Sequence, residues 1–179
     1  MNFEELRRHI EEAAIEAFKE LVAKHKEEGI YAFALYSDDG AMTVCPAVNT
    51  WKHLEEAGGD SLSKFCATEW AYEGEGADEK FEAICTLLRN EVFAHEDDEE
   101  SFDAWFDGFQ GALHEACVGV LIDLKRKRFF EEVLGSEIFL NFEVTEHEFS
   151  RQRTREIIAG LNGEKYRNEY FEWMKSWKK

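Results

Sequence analysis

Proline occurs once in this chain, at Pro46, and no stretch is rich in Pro and Ser, so nothing marks a linker between domains. Cysteine occurs four times, at Cys45, Cys66, Cys85 and Cys117, and no two form a C-x-x-C pair, which argues against structural zinc and against a redox dithiol. Thiols isolated within apolar stretches are expected to be buried and unpaired. No apolar run approaches the ~20 residues needed to cross a bilayer, so no membrane partner is expected. Met1-Asn2-Phe3-Glu4-Glu5 lacks the basic region and apolar run that open a signal peptide, which makes a cytoplasmic compartment the expectation. The sharpest shortage is of positive charge: 21 Lys and Arg stand against 39 Asp and Glu, for a formal net charge of −18.

That deficit is concentrated. Between Glu69 and Asp107 there are fourteen acidic residues against Lys80 and Arg89 alone, a local excess of 12 that makes up two-thirds of the total. Such a field repels phosphate backbones and attracts basic surfaces, so nucleic acid is disfavoured as a direct partner and a basic protein is favoured. Mimicry of nucleic acid, with the acidic face seated in a basic groove, fits the same field. The candidate contact residues are Glu96, Asp97, Asp98, Glu99, Glu100, Asp103 and Asp107. A solvated loop is the competing reading of the run from Glu96 to Glu100.

Fifteen Phe, five Trp and five Tyr in 179 residues supply the large apolar groups of a single core, and one domain spanning residues 1–179 is expected. Asn2 followed by Glu5 has the form of a capping pair, and Phe3, Leu6, Ile10, Ala13, Ala17 and Leu21 then recur at helical spacing up to Gly29. Ile30 to Ser37 and Ala41 to Val48 read as a hairpin around Asp38-Asp39-Gly40, with the first strand covered on both faces. Pro46 marks the second strand as an edge or bulge. A short helix from Trp51 to Ala57 and a third strand from Phe65 to Glu73 follow. Phe81, Ile84, Cys85, Leu88 and Val92 mark one helix, and Ser101 starts a longer one running to the four cations Lys125 to Arg128.

Ser136 to Val144 alternates as a fourth strand of undetermined direction. Thr145 with Glu148 has the form of a capping box for a helix reaching Gly160. Tyr166, Tyr170, Trp173 and Trp177 make an aromatic stripe expected to dock on the core. The pattern predicts an α+β domain, a mostly antiparallel sheet of about four strands packed by helices on at least one face.

Candidate chemistry is sparse. Glu143, Glu146, His147 and Arg151 surround the strand-to-helix junction from Asn141 to Arg155 and form the one catalytic alternative, a hydrolase or anion-binding site. His147-Glu148-Phe149-Ser150-Arg151 begins like H-E-x-x-H, but Arg151 stands where the second zinc-binding histidine must be. Arg151 and Arg155 share a helix face while Arg153 points about 200° away, and internal pairing with the acidic surplus is the simpler use of all three. Gly74-Glu75-Gly76-Ala77-Asp78-Glu79 sits where a dinucleotide loop would, yet its acids would repel a pyrophosphate. Glu69 and Glu73 would lie about 7 Å apart on one strand face, as solvent-side acids. Trp51, Trp70 and Trp105 are assigned to core packing, Gly111 and Gly119 to close helix contacts. His9, His25, His53, His95 and His114 lack ligand spacing. No metal or cofactor is expected.

Three stretches, Tyr31 to Gly40, Thr68-Glu69-Trp70-Ala71-Tyr72-Glu73 and Phe142-Glu143-Val144-Thr145-Glu146-His147-Glu148, together resemble a bacterial family catalogued as domain of unknown function 4303. The resemblance covers nearly the whole chain and transfers no catalytic residue. The family is similar to others found beside secreted bacterial toxins as immunity proteins, which implies a cytosolic inhibitor that binds a protein partner.

Overall fold

A computed structural model of the chain describes residues 1–96 and 101–177. Helix α1 (Phe3–His25) begins as its sequence dictates, with the Asn2 side-chain oxygen accepting from the backbone N–H groups of Glu4 and Glu5. Its buried stripe includes Leu6, Ile10, Ala13, Ala17 and Leu21. A 3-10 turn then delivers the chain to Gly29, at φ 74°, and into strand β1 (Ile30–Asp38). Strand β2 (Val44–Thr50) returns antiparallel to it.

The connection between them is longer than a two-residue hairpin. The Asp38 carboxylate accepts from the backbone N–H groups of Met42 and Thr43 and from the Thr43 hydroxyl, which holds the loop open, and the positive φ falls on Ala41 (53°), not on Gly40. Side-chain hydrogen bonding to nearby backbone has replaced the tight Asp-Gly turn.

Helices α2 (Trp51–Glu56) and α3 (Ser61–Phe65) follow, α3 capped by the Asp60 carboxylate. The expected third strand shrinks to β3 (Tyr72–Glu73), which pairs with Ala47 and Val48 of β2. The reason lies in the sheet. The Tyr31 hydroxyl donates to the Lys64 carbonyl and the Asn49 amide donates to the Ser63 carbonyl, so this segment is tied across the sheet face and cannot enter the ladder. Glu69 sits in a 3-10 turn and does not share a strand face with Glu73.

Helices α4 (Asp78–Phe93), α5 (Phe102–Arg126) and α6 (Phe129–Leu134) lead to β4 (Phe139–Thr145), and α7 (Arg151–Leu161) and α8 (Glu164–Lys175) close the described chain. Strand order is β3-β2-β1-β4, and β4 runs parallel to β1, so the sheet is antiparallel at two of its three pairings. Both faces are covered. Phe33, Leu35, Val44, Val48, Leu140 and Phe142 pack under α1, α4, α5 and α6, with Phe33 making ring contacts to Phe18 and Phe130 at 5.5 Å each. Each such buried ring contributes roughly 1.5–3 kcal/mol. Tyr31, Ala34, Ala47 and Phe139 face the thinner layer that contains Leu54 of α2, Phe65 of α3 and Tyr166, Tyr170 and Met174 of α8.

Two details correct or sharpen the sequence reading. Gly76, at φ 96°, lies so close to α1 that a Cβ there would meet the Ala17 Cα at 3.0 Å, so the glycine-rich loop serves helix packing. In α5 only Gly119 is crowded, by the Arg7 guanidinium, whereas Gly111 faces open space. The outer edge of β4 is protected by Asn162: its amide donates to the Leu140 carbonyl and its side-chain oxygen accepts from the Leu140 N–H, imitating one rung of a further strand. Among the described residues no helix is long and apolar enough to cross a membrane.

Candidate functional site

Alternation along β4 sends Leu140, Phe142 and Val144 into the larger core and leaves Phe139, Asn141 and Glu143 on the opposite face. The strand ends at Thr145, and Glu146 reverses the chain at φ 62°. Helix α7 does not begin at the Thr145–Glu148 pair as its capping-box form predicts. Ser150 is the N-cap, accepting from the Arg153 N–H at 3.2 Å, because the left-handed turn at Glu146 displaces the helix start by five residues. Glu146, His147 and Glu148 are therefore exposed on a loop.

This loop, the end of β4, the start of α7 and the last turns of α8 enclose a cleft of about 950 Å³. Glu143, Glu146, His147 and Arg151 all line it, as do Cys66, Asn141, Tyr170, Trp173 and Trp177. Convergence in space does not give the four residues a common task. The Arg151 guanidinium donates to the backbone carbonyls of Met174 (3.3 Å) and Trp177 (2.7 Å), closing the C-terminal end of α8, where unpaired carbonyls favour a cation. The ring of His147 contacts the rings of His114 and Phe149, at 6.3 and 5.3 Å between centroids. Of the other arginines, Arg153 pairs with Glu115 and Glu156, and Arg155 lies over the Phe171 ring at 4.6 Å.

Glu143 differs from the rest. It lines the cleft half-buried, its carboxyl accepting from the Ala67 N–H at 2.8 Å and from the Asn141 amide at 2.7 Å. Burial pushes its pKa up to about 7, against the opposing pull of those two hydrogen bonds. The same burial, with repulsion from Glu143, raises the Cys66 thiol to about 12 and drives the Tyr170 hydroxyl above its ordinary value. Behind the loop, His114 is buried between Phe142 and Phe149 with its Nε2 unpartnered, and desolvation, followed by repulsion from His147 and Arg153, lowers it to about 4.

The second candidate region is the acidic one. Glu96, Asp103 and Asp107 are exposed, and Asp97, Asp98, Glu99 and Glu100 lie outside the described residues. Elsewhere in the fourteen, Glu82 pairs with Arg89 and Glu91 with the N-terminal amine. Two large apolar side chains, Leu87 and Phe93, are exposed on α4 near this edge, and His95 stacks on Trp105 to join the end of α4 to the start of α5. Of the tryptophans, Trp70 is buried, Trp105 is half-buried, and Trp51 is exposed with one face stacked on Tyr31, so the core assignment fails for Trp51.

All four cysteines are free; Cys85 and Cys117 are buried, while Cys45 and Cys66 are half-buried. Among the described residues no three His, Cys, Asp or Glu side chains form a group able to hold a metal ion. Sequence reasoning named Glu143 and the aromatic stripe separately. It missed Cys66 and gave Asn141 no role beyond bounding the junction, although alternation puts Asn141 and Glu143 on one strand face.

The chain belongs to the family described as a domain of unknown function, DUF4303, which matches residues 10–163. No curated protein and no solved structure matches it.

Proposed function

We propose that this is a non-catalytic binding protein that engages a basic partner protein through its acidic edge, in the manner of an immunity-type inhibitor of a toxin. The observation that carries the reading is exposed negative charge at the junction of α4 and α5, Glu96, Asp103 and Asp107, together with the exposed Phe93 at the end of α4, in a chain of net charge −18. Protein interfaces combine a central apolar contact with a charged rim, and complementary charge accelerates encounter. Exposed acids without internal counter-ions also favour a cationic partner over solvent counter-ions. A cytoplasmic setting, consistent with free thiols, goes with this reading.

The test is titration calorimetry against the purified product of the adjacent reading frame at low and high salt. Affinity should fall as salt rises, and should fall again when Glu96, Asp103 and Asp107 are changed together to their amides. Unchanged affinity on both counts rejects the acidic edge as the contact.

One observation favours a second reading, a hydrolase or anion-binding enzyme using Glu143, Glu146, His147 and Arg151. A carboxyl with a pKa near 7 facing a cleft suits general acid–base work. Against it, Arg151 is already committed to α8 carbonyls. Turnover of an ester or glycoside substrate that is abolished by Glu143→Gln would establish it.

A further inference from the structure

We propose that the cleft beside β4 is a receptor for a single organic cation, an alkylammonium or alkylguanidinium group on an apolar stem, with Glu143 as its counter-ion. The inference stands apart from the acidic edge and does not depend on it.

Three features of the geometry point to a cation. The two groups that hydrogen-bond to the Glu143 carboxyl, the Ala67 N–H and the Asn141 amide, are both neutral, so its charge is desolvated without being balanced. A carboxylate accepts about four hydrogen bonds, and these two leave capacity on the side facing the cleft. An arriving cation would therefore gain both a charge partner and a hydrogen-bond acceptor, one to which no positively charged side chain among the described residues is bonded.

The walls suit the same occupant. Tyr170, Trp173 and Trp177 present aromatic surface along α8, and a ring face attracts ammonium and guanidinium groups while accepting an apolar stem. The protein already uses this contact, since the Arg151 guanidinium lies over the Trp177 ring at 5.9 Å. The further charges at the mouth, Glu146 and Glu148, have the sign that draws a cation in. An anion would meet an unbalanced carboxylate, with the one nearby guanidinium already occupied by the Met174 and Trp177 carbonyls. A volume of about 950 Å³ exceeds what one such group fills, leaving room for its stem and for water.

Protonation of Glu143 gates the site. The groups facing it are Cys66 between α3 and the 3-10 turn after it, Tyr170 from α8, Arg151 from α7 and Tyr36 beside it in register on β1, with His147 at the mouth. Cys66, Tyr170 and Tyr36 are all raised by burial and stay neutral at pH 6 to 8. Since Glu143 ionises near 7, cation binding should tighten between about pH 6 and 8.

The experiment uses the full chain with n-butylammonium chloride and n-butylguanidinium chloride as probes, and n-butanol and sodium butyrate as controls at matched ionic strength. Binding is followed by the indole N–H signals of Trp173 and Trp177. Calorimetry in two buffers of different ionisation enthalpy measures the protons released. The cations should bind saturably, tighten roughly tenfold over that pH range, and release a proton near pH 6.5 as they drive Glu143 to ionise. Glu143→Gln should weaken them about tenfold or more and abolish the pH dependence; a His9→Gln variant, on α1 and outside the cleft lining, should keep both. Proton release by the unaltered protein keeps the proposal testable if Glu143→Gln fails to fold. Equal binding of butanol would reduce the cleft to an apolar groove, and preferential binding of butyrate would make it an anion site; either result, or absence of saturable binding, overturns the proposal.

Discussion

Replacing Glu143 by Gln should change how the stability of this protein depends on pH, with a sign and window set by where the side chain lies. Glu143 titrates near 4.5 when exposed and near 7 in the fold. A group whose folded pKa is raised contributes stability that is complete below its unfolded value and is lost as pH rises through its folded value. Between pH 4.5 and 7 the unfolded chain has released this proton and the native chain holds it, so the native state weakens by about 1.4 kcal/mol per pH unit, or about 3 kcal/mol across the window. His114 opposes it. It is kept neutral in the fold down to about 4, so its contribution disappears as pH falls from 6.5 to 4, again by about 3 kcal/mol. In the unaltered protein the two slopes nearly cancel between pH 4.5 and 6.5, and each variant exposes the other. Urea unfolding of Glu143→Gln from pH 4.5 to 8 should show stability gained relative to the parent, by about 3 kcal/mol at the alkaline end after a pH-independent offset of about 1 kcal/mol for the mismatched amide. His114→Phe should gain relative to the parent by a similar amount in the acid direction. A Glu143→Gln difference constant to within about 0.5 kcal/mol across the range would refute the burial argument, since no other property of the side chain predicts a one-proton slope.

Asn162→Ala should destabilise by roughly 2–4 kcal/mol, because it leaves the Leu140 N–H and carbonyl unpaired at a covered strand edge; chemical denaturation gives the magnitude, and loss of hydrogen-exchange protection at Leu140 gives the location. Arg151→Ala should cost about 1 kcal/mol and loosen the last turn of α8 around Met174 and Trp177, with Lys recovering only part of the loss because it cannot span two carbonyls as a fork. Gly76→Ala should cost roughly 1–3 kcal/mol, since it combines a φ of 96° with a 3.0 Å approach to Ala17, and its effect should be absent at Gly111, where the same added methyl meets nothing.

Local chemistry made much of the fold legible from residue types. The α1 cap at Asn2, the buried stripe of α4, the long α5 and the two-faced β1 all follow from side chains acting within a few positions of themselves, as capping and periodicity do. The failures were contests between neighbours and distant partners. Phe65 to Glu73 alternates like a strand, but Tyr31 and Asn49 hold the preceding helix across the sheet and leave two residues for pairing. Thr145 and Glu148 have capping-box spacing, but Glu146 turns left-handed first and Ser150 takes the role.

Glu143 shows the same division. Its place on one strand face could be read from Asn141 and Phe139, two and four residues before it, because alternation belongs to the backbone. Nothing within the chain order revealed that α8 would fold over that face, seal the carboxyl against the Ala67 N–H and set an aromatic wall opposite it. Periodicity fixes which way a side chain points, whereas the dielectric around it is made by residues that come from far along the chain, and it is that dielectric which turned one strand glutamate into the most perturbed carboxyl of the described residues.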